Sequence, residues 1–275
     1  MFDDVTFTAY GFEKIVHIWK PEDYDASSDE KYSTIYVLDG QYIADFGLLN
    51  YEPMHCPGVI EQTRTAMSQT GKKAIIVAID NYLERDCELT PELEYSVDDK
   101  ENERMKSSDS TDSEYDSMTG SQIAYFLANM LVPYVQQNYN VYTDALHTSI
   151  TGNSLGGLEA FYIGLEYPDT FGTVGAMSPS FWLFEEPDWS KYLEKHKKSF
   201  SDNLPLMYLY TGPAGEDTDP EVTNMYNRLK DMGYPEDKLV LHFNENGTHS
   251  HLWWRSVFSE FLTAMFYQNV ETLQQ

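Results

Sequence analysis

A chain of 275 residues that is 41% hydrophobic and 15% aromatic can bury a substantial core, which excludes disorder as its overall state. Its 45 acidic and 18 basic residues leave a net charge of −27, which repels nucleic acid and anionic membranes and disfavours thioesters carried on highly anionic coenzymes. The opening Met1-Phe2-Asp3-Asp4 is acidic where an export signal is basic, and no apolar stretch follows that is long enough to cross a bilayer. The expectation is therefore a soluble, cytoplasmic protein whose two cysteines, Cys56 and Cys87, are reduced.

Val5-Tyr10 and Lys14-Trp19 read as a pair of strands joined across Gly11, and Ser33-Leu38 as the first deeply buried strand. Ala74-Ile79, an unbroken aliphatic run, has the character of a central strand covered on both faces. Thr148-Thr151, Thr173-Met177, Leu206-Tyr210 and Leu239-Phe243 supply four more. Between and after them, Ser121-Asn138, Gly156-Tyr167, Glu221-Met232 and Leu252-Gln268 carry apolar residues at helical spacing, with Pro133 expected to kink or split the first. Strands alternating with helices predict an α/β protein with about eight mostly parallel strands, helices on both faces, and one domain over residues 1–275. A surface excursion interrupts the pattern at about 84–119. Glu84 to Asp116 holds 13 acidic and 4 basic residues, and Lys106 to Ser113 is a polar low-complexity run that reads as a loop rather than a gate.

The chemistry concentrates at Gly152-Asn153-Ser154-Leu155-Gly156-Gly157, a Gly-x-Ser-x-Gly element between a strand and a helix. Such an elbow needs small residues on either side of a strained serine, and the helix N-terminus that follows favours an oxyanion. A serine nucleophile requires a base, and in this chain order an acid and then a histidine follow it. His196 lies in a basic helical run and His242 inside the last strand, which leaves His249, in the loop past that strand, with His251 as the competitor. No third or fourth ligand lies near this pair at a metal-site spacing, so no metal is expected. The acid belongs in the loop after Leu206-Tyr210, where Glu216 and Asp217 are adjacent; Glu216 is the first choice and Asp217 the alternative. Oxyanion donors are expected from the backbone N–H groups of Leu155 and of Gln41, in the loop Leu38-Asp39-Gly40-Gln41-Tyr42.

Taken with five further stretches, these residues resemble the putative esterase family that includes esterase D, enterochelin esterases and feruloyl or acetylxylan esterases. The stretches are Tyr36 to Gly40; Val77 to Asn81 followed by Arg85, Glu88, Thr90 and Pro91; Tyr167-Pro168-Asp169 with Phe171; Ser178 to Trp182; and Gly247-Thr248-His249 with Trp254-Arg255. The resemblance implies the α/β-hydrolase fold, and its pattern of a loop histidine five residues before a tryptophan favours His249 over His251. It further implies that Arg85 and Glu88 brace a loop near the site and that Ser178-Pro179-Ser180 borders the pocket. Glu216 departs from the family spacing, lying four residues after Gly212 where three are usual.

The expected activity is hydrolysis of a small-molecule ester through an acyl-enzyme on Ser154, with no metal or organic cofactor, and with homo-oligomerisation left open. Two other readings share the same parts. One is an acyltransferase with this triad, and the other a catalytically silent binding protein of the same fold.

Overall fold

Positive φ at both Tyr10 (53°) and Gly11 (88°) makes a two-residue turn whose twist matches that of paired strands. Strand β1 (Phe2–Ala9) therefore folds directly back as β2 (Phe12–Trp19), with Ala9 opposite Phe12. The computed structural model describes residues 1–44, 58–81, 85–93, 118–197 and 204–268. Cys56 and residues 94–117, most of the expected acidic excursion, lie outside the described residues.

Six further strands complete the sheet: β3 (Ser33–Leu38), β4 (Ala74–Ile79), β5 (Thr148–Asn153), β6 (Thr173–Met177), β7 (Leu206–Thr211) and β8 (Leu239–Phe243). The spatial order is β1-β2-β4-β3-β5-β6-β7-β8, with β2 antiparallel to both its neighbours β1 and β4, and β3 through β8 mutually parallel. This is the α/β-hydrolase fold. All eight expected strands are present; β2, β5 and β7 run beyond their expected limits, and β1 begins three residues earlier and ends one residue earlier than expected.

Why the central strands read as continuous apolar runs is visible in β4. Ile75, Val77 and Ile79 join the hydrophobic cluster on one face of the sheet, while Ala74, Ile76 and Ala78 join that on the other. At the sheet's hairpin edge, β1 instead alternates exposed and half-buried positions.

The helices distribute between these faces. Two short ones, α1 (Gln41–Ala44) and α3 (Arg85–Glu88), stand beside the sheet's C-terminal edge, and α2 (Val59–Thr70) contributes Val59 and Ile60 to one face. On the opposite face lie α4 (Gly120–Phe126), α5 (Val132–Asn138), α6 (Leu155–Glu166), α7 (Glu186–His196) and α8 (Glu221–Asp231). The last helix, α9 (His251–Tyr267), returns to the α2 side with Trp254, Phe258 and Phe261. Pro133 has no N–H and its ring crowds the carbonyl four residues back. The chain accommodates it with a π-helical turn, Leu127–Leu131, between α4 and α5. No described helix is long and apolar enough to cross a membrane.

One polar contact couples the hairpin to the parallel strands. His17 lies across from Asp4 in β1, and its Nδ1 is 2.7 Å from Asp4 Oδ1; its Nε2 is 3.2 Å from Asp80 Oδ2, just past β4. The hydrogen bond to Asp80, with a second from Asp4, raises the imidazole pKa from 6.5 to about 9 against the opposing effect of burial. Because the folded value lies above the unfolded one, the contribution to stability is complete below about pH 6.5 and is lost as pH rises through about 9. Thermal melts between pH 6 and 10 should therefore show a steeper loss of Tm for the wild type than for His17→Gln; parallel curves would refute this.

Candidate active site

The chain leaves β5 through a turn that holds Ser154 at φ 59° and ψ −119°, a conformation that non-glycine residues rarely adopt, and enters α6 at Leu155. The crossing is tight. A Cβ on Gly152 would lie 2.3 Å from the carbonyl oxygen of Gly156, and one on Gly157 would lie 2.9 Å from that of Met177 in β6. The serine is pinned on both sides of its peptide, its N–H donating to Met177 O (2.9 Å) and its carbonyl accepting from Ser180 N–H (3.2 Å). Its Oγ projects half-buried from the elbow, 3.0 Å from His249 Nε2 and 3.4 Å from Ser180 Oγ.

His249 stands in the loop after β8, with its side chain 39% exposed. Its Nδ1 lies 3.0 Å from Asp217 Oδ1, whose side chain is fully buried in the loop after β7. A carboxylate can only accept, so Nδ1 carries the proton and Nε2 presents its lone pair to the serine hydroxyl. The other carboxylate oxygen, Oδ2, accepts from the Gly212 N–H and the Ser178 hydroxyl, each at 2.8 Å. The two loops meet closely: a Cβ on Gly212 would come within 2.5 Å of Gly247 O, which leaves room for no side chain there.

The expected acid is thereby corrected. Glu216 is exposed, and the structure places Asp217, not Glu216, against the imidazole. The N–H groups of both residues turn onto Pro213 O, and this tight turn, with Gly215 at φ 85°, sends the two side chains in opposite directions. Glu216 still takes part through its backbone, its carbonyl accepting the His249 N–H at 2.9 Å. His251 packs between the rings of Tyr42 and Trp254, with centroids 5.6 and 4.9 Å away.

Leu155 opens α6, so its N–H belongs to the first turn, where a helix offers no internal acceptor. Gln41 opens α1 and is clasped to Asn81 in both directions, its Nε2 donating to Asn81 O (2.8 Å) and its Oε1 accepting from Asn81 N–H (3.0 Å). Between β3 and Gln41, Asp39 sits at φ 60° and receives both Arg85 Nε and Nη2 at 2.7 Å. Asn81 Oδ1 accepts from the Asp39 N–H (3.0 Å), and Asn81 Nδ2 donates to Glu88 (2.9 Å), which is paired with buried Lys14. Arg85 and Glu88 thus brace the loop that carries Gln41. Sequence reasoning did not find Asp39 as the anchor of this network, and the signal available was a carboxylate beside the arginine-containing motif.

Val37, Leu38, Asp39, Tyr42, Arg85, Asn153, Ser154, His249, His251 and Trp254 enclose a cavity of about 220 Å³ that opens over the serine. Among the described residues, no group of three or more His, Cys, Asp or Glu is placed to hold a metal.

Comparison with known proteins agrees with this architecture. The family model described as "Putative esterase" matches residues 11–265. An uncharacterised Bacillus subtilis protein, YbbA, is 24% identical over 155 residues, covering 54% of this chain and 60% of its own length. The iron(III) salmochelin esterase of Escherichia coli O6:H1 is 30% identical over 148 residues, 49% of this chain and 35% of that protein. The chain therefore spans less than two thirds of either relative. Among solved structures, the siderophore hydrolase EstA from Aspergillus nidulans superposes with a TM-score of 0.70 at 17% identity, covering 96% of this chain and 94% of that one.

The elbow allows a direct test of packing. Gly152→Ala should lower the unfolding free energy by about 3 kcal/mol, the upper end of overpacking costs, in urea denaturation, and an unchanged midpoint would show that the crossing relaxes freely.

Proposed function

The chain belongs to the putative esterase family, and from that membership we propose that it is a serine carboxylic-ester hydrolase, one domain over residues 1–275, acting through an acyl-enzyme on Ser154. The observation that carries the reading is the continuous line of hydrogen bonds from Ser154 Oγ through both ring nitrogens of His249 to the buried carboxylate of Asp217. His249 Nε2 takes the serine proton as Oγ attacks the ester carbonyl, and Asp217 remains ionised and stabilises the imidazolium. The N–H groups of Leu155 and Gln41 are the proposed oxyanion donors, each contributing about 3 kcal/mol to the transition state. His249 then returns the proton to the departing alcohol, and a water activated the same way releases the acid. Every step draws on groups of the chain and on water.

The partial exposure of His249 leaves the proposed base accessible to water, the acceptor that hydrolysis requires. The aromatic walls of the cavity, Tyr42, His251 and Trp254, and the likeness to a salmochelin esterase and a siderophore hydrolase favour small-molecule esters of the siderophore type.

Hydrolysis of short aryl esters tests the assignment. Ser154→Ala and His249→Ala should each reduce kcat by several decades, and Asp217→Ala by about 10⁴, whereas Glu216→Ala and His251→Ala should stay within about tenfold of wild type. Full activity in Ser154→Ala would end this reading. A panel of acetyl, butyryl, feruloyl and siderophore-like esters, compared by kcat/KM, then assigns the substrate, and a preference for acetyl over siderophore-like esters would contradict the proposed class.

A further inference from the structure

Beyond the proposed triad, the hydrogen-bond chain continues for two more side chains. Trp254 Nε1–H donates to Ser178 Oγ at 2.8 Å, and the Ser178 hydroxyl donates to Asp217 Oδ2 at 2.8 Å. Ser178 is fully buried and Trp254 only 6% exposed, so water does not compete for either bond. The direction of the chain is determined. The indole nitrogen can only donate, so Ser178 accepts there and must spend its single proton on the carboxylate.

The placement of Ser178 is not incidental to its strand. It follows β6 directly, adopts φ 45°, and donates its N–H to Tyr210 O in β7 (2.8 Å). A strained backbone held in this way delivers the hydroxyl toward the next loop. Trp254 has a second contact with the same assembly. Its ring meets that of His249 edge to face, with centroids 5.0 Å apart and planes at 87°. One residue of α9 therefore supports the imidazole with its ring and the acid with its N–H.

We propose that Ser178 and Trp254 are positioning residues for this site, and that the Trp254–Ser178–Asp217 chain holds the carboxylate in the one rotation that aims Oδ1 at His249. With two donors on Oδ2, rotating Asp217 away from the histidine breaks both bonds. Without Ser178, only the Gly212 N–H opposes that rotation. The inference rests on the reading of Ser154, His249 and Asp217 as a working triad.

The test is the steady-state hydrolysis of a short aryl ester by the full chain carrying Trp254→Phe or Ser178→Ala, alone and in an Asp217→Ala background. Trp254→Phe removes the donor and keeps a ring against His249. A hydrogen bond to a charged group is typically worth about tenfold to a hundredfold in an equilibrium. Each variant should therefore lose about tenfold in kcat, with KM changed less than about twofold. In the Asp217→Ala background, both should have almost no further effect, because the group they position is gone. A purely structural role predicts the opposite, the same loss in both backgrounds, and that result overturns the inference, as does unchanged kcat in both variants when Asp217→Ala alone costs decades. Full activity in Asp217→Ala would instead overturn the triad reading itself. Should Ser178→Ala fail to fold, Trp254→Phe, which leaves Ser178 and Asp217 in place, decides the question.

Discussion

Everything at the site depends on the crossing of β5 into α6. Holding Ser154 in a sparsely populated backbone region costs on the order of 1–3 kcal/mol, and it persists only because neighbouring groups determine it from both sides. Met177 and Ser180, at and beyond the end of β6, provide those groups. Because β5 lies between β3 and β6 at the middle of a parallel sheet, the loops leaving β3, β6, β7 and β8 all open on the same edge as the serine. Asp39 and Gln41, Ser178 and Ser180, Asp217, and His249 come one set from each loop. Convergence is a property of the topology, and the elbow sets the point on which the loops converge.

The buried charges around that point are paired. Among the described residues, buried Lys14, Asp39, Asp80 and Glu88 all occur in opposite-sign contacts. Lys14 and Glu88, 2% and 6% exposed, bind each other, and buried Asp39 takes the fork of Arg85. Buried ion pairs of this kind are weak contributors to stability, since desolvation offsets their attraction, but losing one partner strands the other. What they supply here is connection, because they join β2, the end of β4, α3 and the loop of Gln41 into one hydrogen-bonded unit. Glu159 in α6 behaves differently. Fully buried, its carboxyl is pushed well above the usual carboxylate range by desolvation, which disfavours its charged form.

The sheet was legible in the sequence because strands such as β4 are buried on both faces and so read as uninterrupted apolar runs, whereas β5 was legible through the elbow that follows it. Helix α7 was less so: only the basic run at His196 marked it. Its signals were local, Pro187 in the first turn with Glu186 and Asp188, then Trp189, Tyr192 and Leu193 at helical spacing. The serine was legible because the elbow's small residues are a local requirement of the backbone. The histidine needed a second marker, Trp254, five residues on. Which carboxylate faces His249 was not legible, since Glu216 and Asp217 have the same chemistry and differ only in where a turn sends them. Nor was the bond between Trp254 and Ser178, formed by residues 76 positions apart.

That turn also explains why the second residue of the pair is the one that faces the imidazole. The Glu216 carbonyl is committed to the His249 N–H, and the Asp217 carboxylate to the ring of the same residue. One dipeptide thereby grips the histidine by backbone and side chain together, a geometry available when adjacent residues face opposite ways. Were the glutamate to turn inward, its carbonyl would turn with it and the backbone grip would be lost. A histidine on an exposed loop is otherwise free to swing, and freedom of that kind would lower the fraction of molecules aligned for the proposed proton transfer. The double grip allows His249 to be open to water and fixed in direction at once, the two conditions that the proposed hydrolysis would place on it.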